Sequence, residues 1–288
     1  MKYLCHYTNE KSAEIIISTM ALRFGKISES NDPIEMKRFS SCGMDPDLSA
    51  DDKERNRVSN QLMEYLNKIL QVICFSEGTI KNAKFGAFVY GESFEIDLED
   101  GLIHPGNIHN FWERPPYYLP RMWAQYGDNH KGACLIFDKN KLINQIVEQT
   151  RDLYNISHKA VIYKDIILDM EYRYSYTDRF YKYYTPDTGG IVDFVQNYIK
   201  NGSDLTYFSK DIDWASEKEY RFLIWNKIQN ENYHNKEIKI DNESLIGVMS
   251  GIHSEGDRLR DISLSQNIKN IMKLTYDDPL IIIDNLKK

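Results

Sequence analysis

Trp214-Ala215-Ser216-Glu217-Lys218-Glu219-Tyr220-Arg221, continued by Phe222-Leu223-Ile224, reads as a late strand with one face against an apolar core. Tyr220, Phe222 and Ile224 fall on one side and Glu217, Glu219, Arg221 and Leu223 on the other, the period of two that a pleated strand imposes. As a strand it points both carboxylates the same way. Two like charges that close must share solvent, a cation or a proton. The fold therefore either uses their chemistry or neutralises them with Arg221. Just upstream, Lys210-Asp211-Ile212-Asp213 reads as a turn. Near the opposite end, Cys5-His6-Tyr7-Thr8 lies on a first apolar strand, Tyr3 to Tyr7, and brings a histidine to the same kind of position.

Between these ends the punctuation describes an α+β chain. Thr8 is placed to cap a helix from Glu10 to about Met20, with Ala13, Ile16, Ile17 and Met20 at helical spacing. Leu22-Arg23-Phe24 begins a second short strand. Ser28 to Pro33 is turn-rich, Asn31-Asp32-Pro33 fits an Asx turn, and a helix is expected from about Asp51 to Leu70. Val72 to Glu77 is a buried-type strand, and Lys81 to Arg114 reads as loop and hairpin. Pro120 to Tyr126 is a short helix, Gly127 to Gly132 a polar turn, and Ala133 to Phe137 a strand. A helix from about Lys139 to Tyr154, a strand at Ala160 to Tyr163, and helices through 165–184 and 188–201 follow. Glu237 to Ile240, Leu245 to Met249 and Ile271 to Thr275 supply the last strands. No repeat or linker divides the chain, so one α+β domain over 1–288 is expected, with a helical insertion at about 139–205.

Composition narrows the function classes. The chain has 288 residues, 42% of them hydrophobic, enough for a large core. No stretch approaches the roughly 20 apolar residues of a membrane span. The start enters a strand without a signal-peptide pattern, so a cytoplasmic address is expected. Cys5, Cys42, Cys74 and Cys134 form no C-x-x-C pair and indicate no metal site. A net charge of −7 argues against broad electrostatic wrapping of nucleic acid. A local groove stays open, because 20 Tyr and 12 Phe peak around Glu171 to Tyr184, interleaved with Arg173, Arg179 and Lys182. That segment fits either an amphipathic helix or a base-stacking surface. Gly-rich phosphate loops, a nucleophile elbow and His-x-x-x-His spacing are all missing from the sequence; Asp32, Glu35 and Lys37 imitate a nuclease cluster only loosely.

The ordered set His6-Tyr7-Thr8, Asn31-Asp32-Pro33, Cys74-Phe75-Ser76-Glu77, Met122-Trp123 with Tyr126, His130-Lys131-Gly132 and Trp214 with Glu217 to Arg221 resembles the bacterial family called domain of unknown function 2971. More distantly, His-x-Thr on a first strand, a helix, then Leu-Arg, together with a late Glu-x-Glu, is similar to ADP-ribosyltransferase-fold enzymes. That resemblance implies a mixed or antiparallel sheet core with inserted helices, NAD as substrate, and transfer of ADP-ribose to a macromolecular acceptor, protein or nucleic acid. It also implies a toxin or antiphage-defence setting; whether a regulatory partner holds the activity off stays open.

By the same resemblance Glu219 and Glu217 are the catalytic candidates. Glu219 would accept from the nicotinamide ribose and offset developing positive charge, and Glu217 would orient or deprotonate the acceptor. His6, Tyr7, Thr8, Arg23, Ser76, Trp123, Tyr126, His130 and Lys131 are the cofactor-binding candidates. His6 or Thr8 would meet ribose, Trp123 or Tyr126 would stack on nicotinamide, and Arg23 or Lys131 would meet the diphosphate. The chain departs from the arginine-directed branch, which has Arg where His6 stands. It departs from the diphtheria-toxin-like branch in having two glutamates, and the Ser-Thr-Ser strand motif is replaced by Cys74-Phe75-Ser76. The acceptor therefore stays open, with an NAD glycohydrolase and a non-catalytic sensor on the same fold as the alternatives.

Overall fold

A computed structural model describes residues 2–29, 64–79, 84–89, 92–97, 103–105, 117, 119–165, 207–227, 235–268, 270–277 and 280–285. Cys42, Asn31-Asp32-Pro33, the nuclease-like cluster and the aromatic segment 171–184 lie outside these residues, as do most of the helices expected at 51–70 and all of those at 188–201.

In chain order the strands are β1 (Lys2–Thr8), β2 (Ala21–Arg23), β3 (Gly25–Lys26), β4 (Gln71–Thr79), β5 (Lys84–Val89), β6 (Glu92–Asp97), β7 (Ile103–Pro105), β8 (Ala133–Asp138), β9 (Tyr154–Ala160), β10 (Ile162–Lys164), β11 (Ser209–Asp211), β12 (Glu219–Asn226), β13 (Glu237–Lys239), β14 (Leu245–Ser250), β15 (Asn270–Asp277) and β16 (Leu280–Asn285). The helices are α1 (Glu10–Thr19), α2 (Pro120–Gln125), α3 (Lys139–Thr150) and α4 (Asp257–Ser265). A 3₁₀ turn spans Ile212–Glu217. The molecule is α+β, with a mixed, mostly antiparallel main sheet ordered β16-β15-β14-β8-β1-β4-β12-β9, in which, among the described residues, β14 and β15 are the parallel pair. Smaller pairings join β10 to β11, β13 to β2, and β5 to β6 to β7.

Alternation puts a core on each face of the main sheet. Leu4, Phe75, Leu135, Phe137, Phe222 and Ile224 meet Ala13 and Ile17 of α1, Leu142 and Ile146 of α3 and Leu259 of α4 on one side. Tyr3, Cys5, Tyr7, Cys134 and Ile136 meet Met122 and Trp123 of α2 on the other. A sheet buried on both faces explains why β8 reads as a continuous apolar run rather than an alternating one.

Several local expectations change. Thr8 stays in β1, and Asn9 caps α1 by accepting from Ser12 N at 2.8 Å. α3 ends at Thr150, and the chain is extended again from Tyr154, so the segment given to a helical insertion holds a helix and two strands before residues 166–206, which are not described. α4 has no side-chain cap and starts from Gly256 in the left-handed region, so it lacked an entry signal. β16 follows Pro279 as Leu280-Ile281-Ile282-Ile283, an apolar run that pairs with β15.

The main sheet also has a split. β12 covers one edge of β4 from Gln71 to Ser76, so both remaining partners of β4 share the opposite edge. β1 pairs there from Lys2–Thr79 to Cys5–Ser76 and then leaves, whereas β3 joins only at Gly25–Val72 and Lys26–Gln71. The interval between them, at Ile73 to Phe75, is the mouth of the candidate site.

β1 diverges because its far end is held by β8 and by a tight turn. Asp128, Asn129 and His130 all have positive φ, at 50°, 50° and 68°. Non-glycine residues in this region cost roughly 1–2 kcal/mol each, so surrounding contacts must hold the turn. Gly251 N donates to Gly132 O at 2.8 Å and His253 N to His130 O at 2.9 Å. A Cβ on Gly251 would lie 2.2 Å from His130 O, and one on Gly132 would lie 2.1 Å from Thr8 O. Both obstacles are backbone and cannot swing aside. Gly251→Ala is expected to lower unfolding free energy by at least about 1–3 kcal/mol, read from urea denaturation; an unchanged midpoint would show that the two loops do not pack this closely.

Candidate functional site

The late acidic stretch is not one continuous strand. Asp211 Oδ1 accepts from Asp213 N at 3.1 Å and starts the 3₁₀ turn, which ends on Glu217. Lys218 then sits in the left-handed region at φ 49°, and β12 begins at Glu219. The expectation that strand alternation aligns Glu217 with Glu219 is therefore corrected. The αL residue between them turns the chain, and the two carboxylates converge for that reason. Lys218 itself is exposed and takes no part.

What joins them is Lys210 on β11. Its Nζ lies 2.8 Å from Glu217 Oε2 and 3.3 Å from Glu219 Oε2, with all three side chains almost fully buried. Arg221 completes the network: its Nε donates to Glu219 Oε1 at 2.6 Å, its Nη2 to Glu219 Oε2 at 3.0 Å and its Nη1 to Tyr207 O at 2.7 Å. Tyr126 OH donates to Glu217 Oε1 at 2.8 Å, and Glu219 N donates to Tyr163 OH at 2.7 Å. Trp214 lies between two cations, with Lys210 Nζ 4.7 Å and Arg121 Cζ 5.1 Å from its ring. Arg121 also donates to Asp213 O at 2.7 Å and so ties α2 to the 3₁₀ turn.

These partners set the ionisation. Burial pushes the Glu219 carboxyl up, but Arg221 and then Lys210 outweigh it and hold it at about 2. Burial, followed by the Glu217 charge, raises the Tyr126 phenol well above its ordinary value, so it stays a donor. Burial also raises Tyr163. A carboxyl depressed from 4.5 to about 2 contributes stability that is complete above pH 4.5 and is lost as pH falls towards 2. Wild type is therefore expected to lose melting temperature across that window, and Glu219→Gln to lose less across it; parallel profiles from calorimetry would contradict the depressed carboxyl.

The network forms one wall of a cavity of about 320 Å³. Residues flanking the split in the sheet complete its lining. Cys5, Ser76 and Glu219 are in register across β1, β4 and β12, and Cys74 faces Arg221. His6 Nδ1 donates to Cys74 O at 3.1 Å across the opening. Burial holds the His6 ring below its ordinary pKa, so it is neutral, with its lone pair on Nε2. Ser76 Oγ is buried and has no hydrogen-bond partner among the described residues, which is unusual for a buried hydroxyl. Arg23, Lys26 and Glu29 line the opening from β2, β3 and the turn that follows.

Of the residues singled out from sequence, His6, Tyr7, Arg23, Ser76, Tyr126, Glu217 and Glu219 line this cavity together. Thr8, Trp123, His130 and Lys131 do not. Trp123 is core: it is 2% exposed, meets Tyr7 edge-on at 5.1 Å and donates Nε1 to Tyr117 O at 2.9 Å. Its size and polar edge suit burial beside a carbonyl as well as they suit stacking. Thr8 pairs with Ala133 at the end of β1. His130 and Lys131 belong to the strained turn, where His130 faces His253 with ring centroids 6.2 Å apart. Lys210, Cys74, Lys26 and Tyr163 were not singled out as site residues. Lys210 carried no local signal, being one lysine in a turn-like stretch, and its role appears only when β11 packs beside β12. Among the described residues there is no group of three or more His, Cys, Asp or Glu able to hold a metal ion, and no helix is long and apolar enough to cross a membrane.

Residues 122–222 match the model of a family described as Protein of unknown function (DUF2971). That segment contains Tyr126, Lys210, Glu217, Glu219 and Arg221, the whole buried ion network. His6, Arg23, Cys74 and Ser76 precede it. No curated protein and no solved structure matches the chain.

Proposed function

We propose that this cavity binds NAD and cleaves its bond from nicotinamide to ribose, transferring ADP-ribose to a macromolecular acceptor on an ADP-ribosyltransferase-like fold. The observation that carries the reading is the shared cavity: His6 and the Glu217–Glu219 pair, from opposite ends of the chain, line one space. Its volume is near the lower end of ligand pockets and suits a nicotinamide riboside end rather than a whole dinucleotide. Arg23 and Lys26 at the opening then meet the diphosphate. Ser76 supplies a hydroxyl able to donate to the ligand, and neutral His6 supplies Nε2 as an acceptor for a ribose hydroxyl.

In the reaction the C1′–N1 bond breaks and its electron pair stays with nitrogen, so nicotinamide leaves neutral. Positive charge develops on the ribose ring, and a carboxylate already ionised stabilises it without reorganising; Glu219 is such a group. The acceptor then bonds to C1′ and loses its proton to Glu217 or to solvent. Water in place of the acceptor gives the glycohydrolase.

One observation favours a non-catalytic sensor instead. Every oxygen of Glu217 and Glu219 already accepts a bond from Lys210, Arg221 or Tyr126, the arrangement of a structural network. Calorimetric titration separates the readings at the level of the ligand. NAD is expected to bind and nicotinamide mononucleotide to compete with it; no heat from NAD at millimolar concentration would remove the NAD reading altogether.

A further inference from the structure

We propose that Lys210 is the positioning residue of this cavity, the cation that bridges Glu217 and Glu219 and holds their carboxylates side by side; its catalytic consequence rests on the NAD reading above. The geometry is specific. Among the described residues, Lys210 is the side chain that contacts both carboxylates, at 2.8 and 3.3 Å, while of the two acids Arg221 bonds Glu219 and Tyr126 bonds Glu217. Its ammonium is nearly buried and lies 4.7 Å from the Trp214 ring centroid, so part of what it loses on leaving water is returned by the ring face. Backbone geometry delivers it independently of the glutamates. β11 is held parallel to β10 by the pairs Ile162–Ser209, Tyr163–Lys210 and Lys164–Asp211, and Tyr163 also accepts from Glu219 N.

The charge balance shows what Lys210 does. Among the described residues, the groups facing the pair are Lys210 itself, Arg221 from β12, Tyr126 from α2, Tyr163 from β10, Cys74 and Ser76 from β4, and neutral His6 from β1, with Arg23, Lys26 and Glu29 lining the same cavity from β2, β3 and the turn that follows. Remove Lys210 and, among the described residues, Arg221 is the one cation left in hydrogen-bond contact with either carboxylate. Like charges sharing a site raise one another's hold on a proton, so one of the pair is expected to protonate at a higher pH than before. A protonated Glu219 cannot offset a developing cation, and a protonated Glu217 cannot accept a proton. Lys210 therefore acts through both acids without touching the reacting bond.

The test reads the carboxyls directly. Carbon-13 signals of the glutamate carboxyls are followed with pH in wild type, K210M, K210R and K210M/E217Q, all checked for folding by circular dichroism. In wild type Glu219 is expected to stay ionised down to the acid transition. In K210M one of the pair is expected to titrate at least about one pH unit higher. K210R restores the wild-type position, and K210M/E217Q falls between, since the like charge has gone and Arg221 remains. A K210M profile that overlays wild type overturns the proposal. Should K210M not fold, the same comparison is made between E217Q and K210M/E217Q, and coincident Glu219 midpoints there overturn it. The NAD reading is scored separately. A carboxyl shift with no turnover by wild type upholds Lys210 as holding the pair and removes the chemistry, whereas turnover with no shift does the reverse.

Discussion

Arg221→Met is expected to destabilise the protein by about 3–5 kcal/mol, the cost of breaking a buried ion pair from one side. Arg221 is 2% exposed, and its guanidinium spends three N–H groups on two oxygens of Glu219 and the carbonyl of Tyr207. Methionine fills much of the volume but leaves Glu219, among the described residues, with Lys210 as its remaining cation, and Tyr207 O without that donor. Arg221→Lys keeps the charge and loses the fork, so it should recover only part of the loss. Urea denaturation measures both. A change under about 1 kcal/mol for Arg221→Met would mean that the pair is solvated, as exposed pairs are.

Glu219→Gln is expected to reduce NAD turnover by roughly 10²–10³-fold, the usual effect of deleting one group that stabilises developing charge, while NAD affinity changes by only about threefold or less. The amide keeps one acceptor for Arg221 but exchanges the other for a donor beside Lys210. Some stability is therefore lost as well, and rates must be normalised to folded protein. Equal losses in binding and turnover would make Glu219 a ligand contact only; unchanged turnover would make it structural. Because the same substitution also changes the acid profile of stability, one preparation yields two independent readouts.

Much of the architecture was legible because it is local. The β1–α1–β2 opening and the apolar run of β8 are each written within about ten residues, and their ends hold within a residue, although the cap of α1 falls on Asn9 rather than Thr8 and α3 stops four residues short of the expected Tyr154. α4 and β16 were missed for opposite reasons: the helix has a glycine where a capping side chain normally stands, and the strand's signal is four apolar residues with no alternation. The split in the sheet was not legible at all. It depends on where β1 and β3, separated from β4 by more than forty residues, register against the same edge.

The site divides in the same way. His6 and Glu219 could be singled out by residue type, yet their presence in one cavity is a property of strand order, β1 beside β4 beside β12. Glu217 and Glu219 do converge, through an αL residue at Lys218 rather than through the pleat. The sequence also posed the charge question, whether two carboxylates share a cation or a proton, and named Arg221 as the neutralising group. Arg221 does neutralise Glu219, and Lys210 answers the rest by contacting both carboxylates.

The most direct measurement is nicotinamide release from NAD by purified wild-type protein, followed by mass spectrometry with buffer alone, protein extract and nucleic acid supplied as separate acceptors. Nicotinamide is expected in at least one arm, in equal amount to ADP-ribose that is attached to the acceptor for a transferase and free for a glycohydrolase. No nicotinamide in any arm, from protein shown to be folded, would contradict the NAD reading and leave the cavity as a binding site whose acids are held for structure.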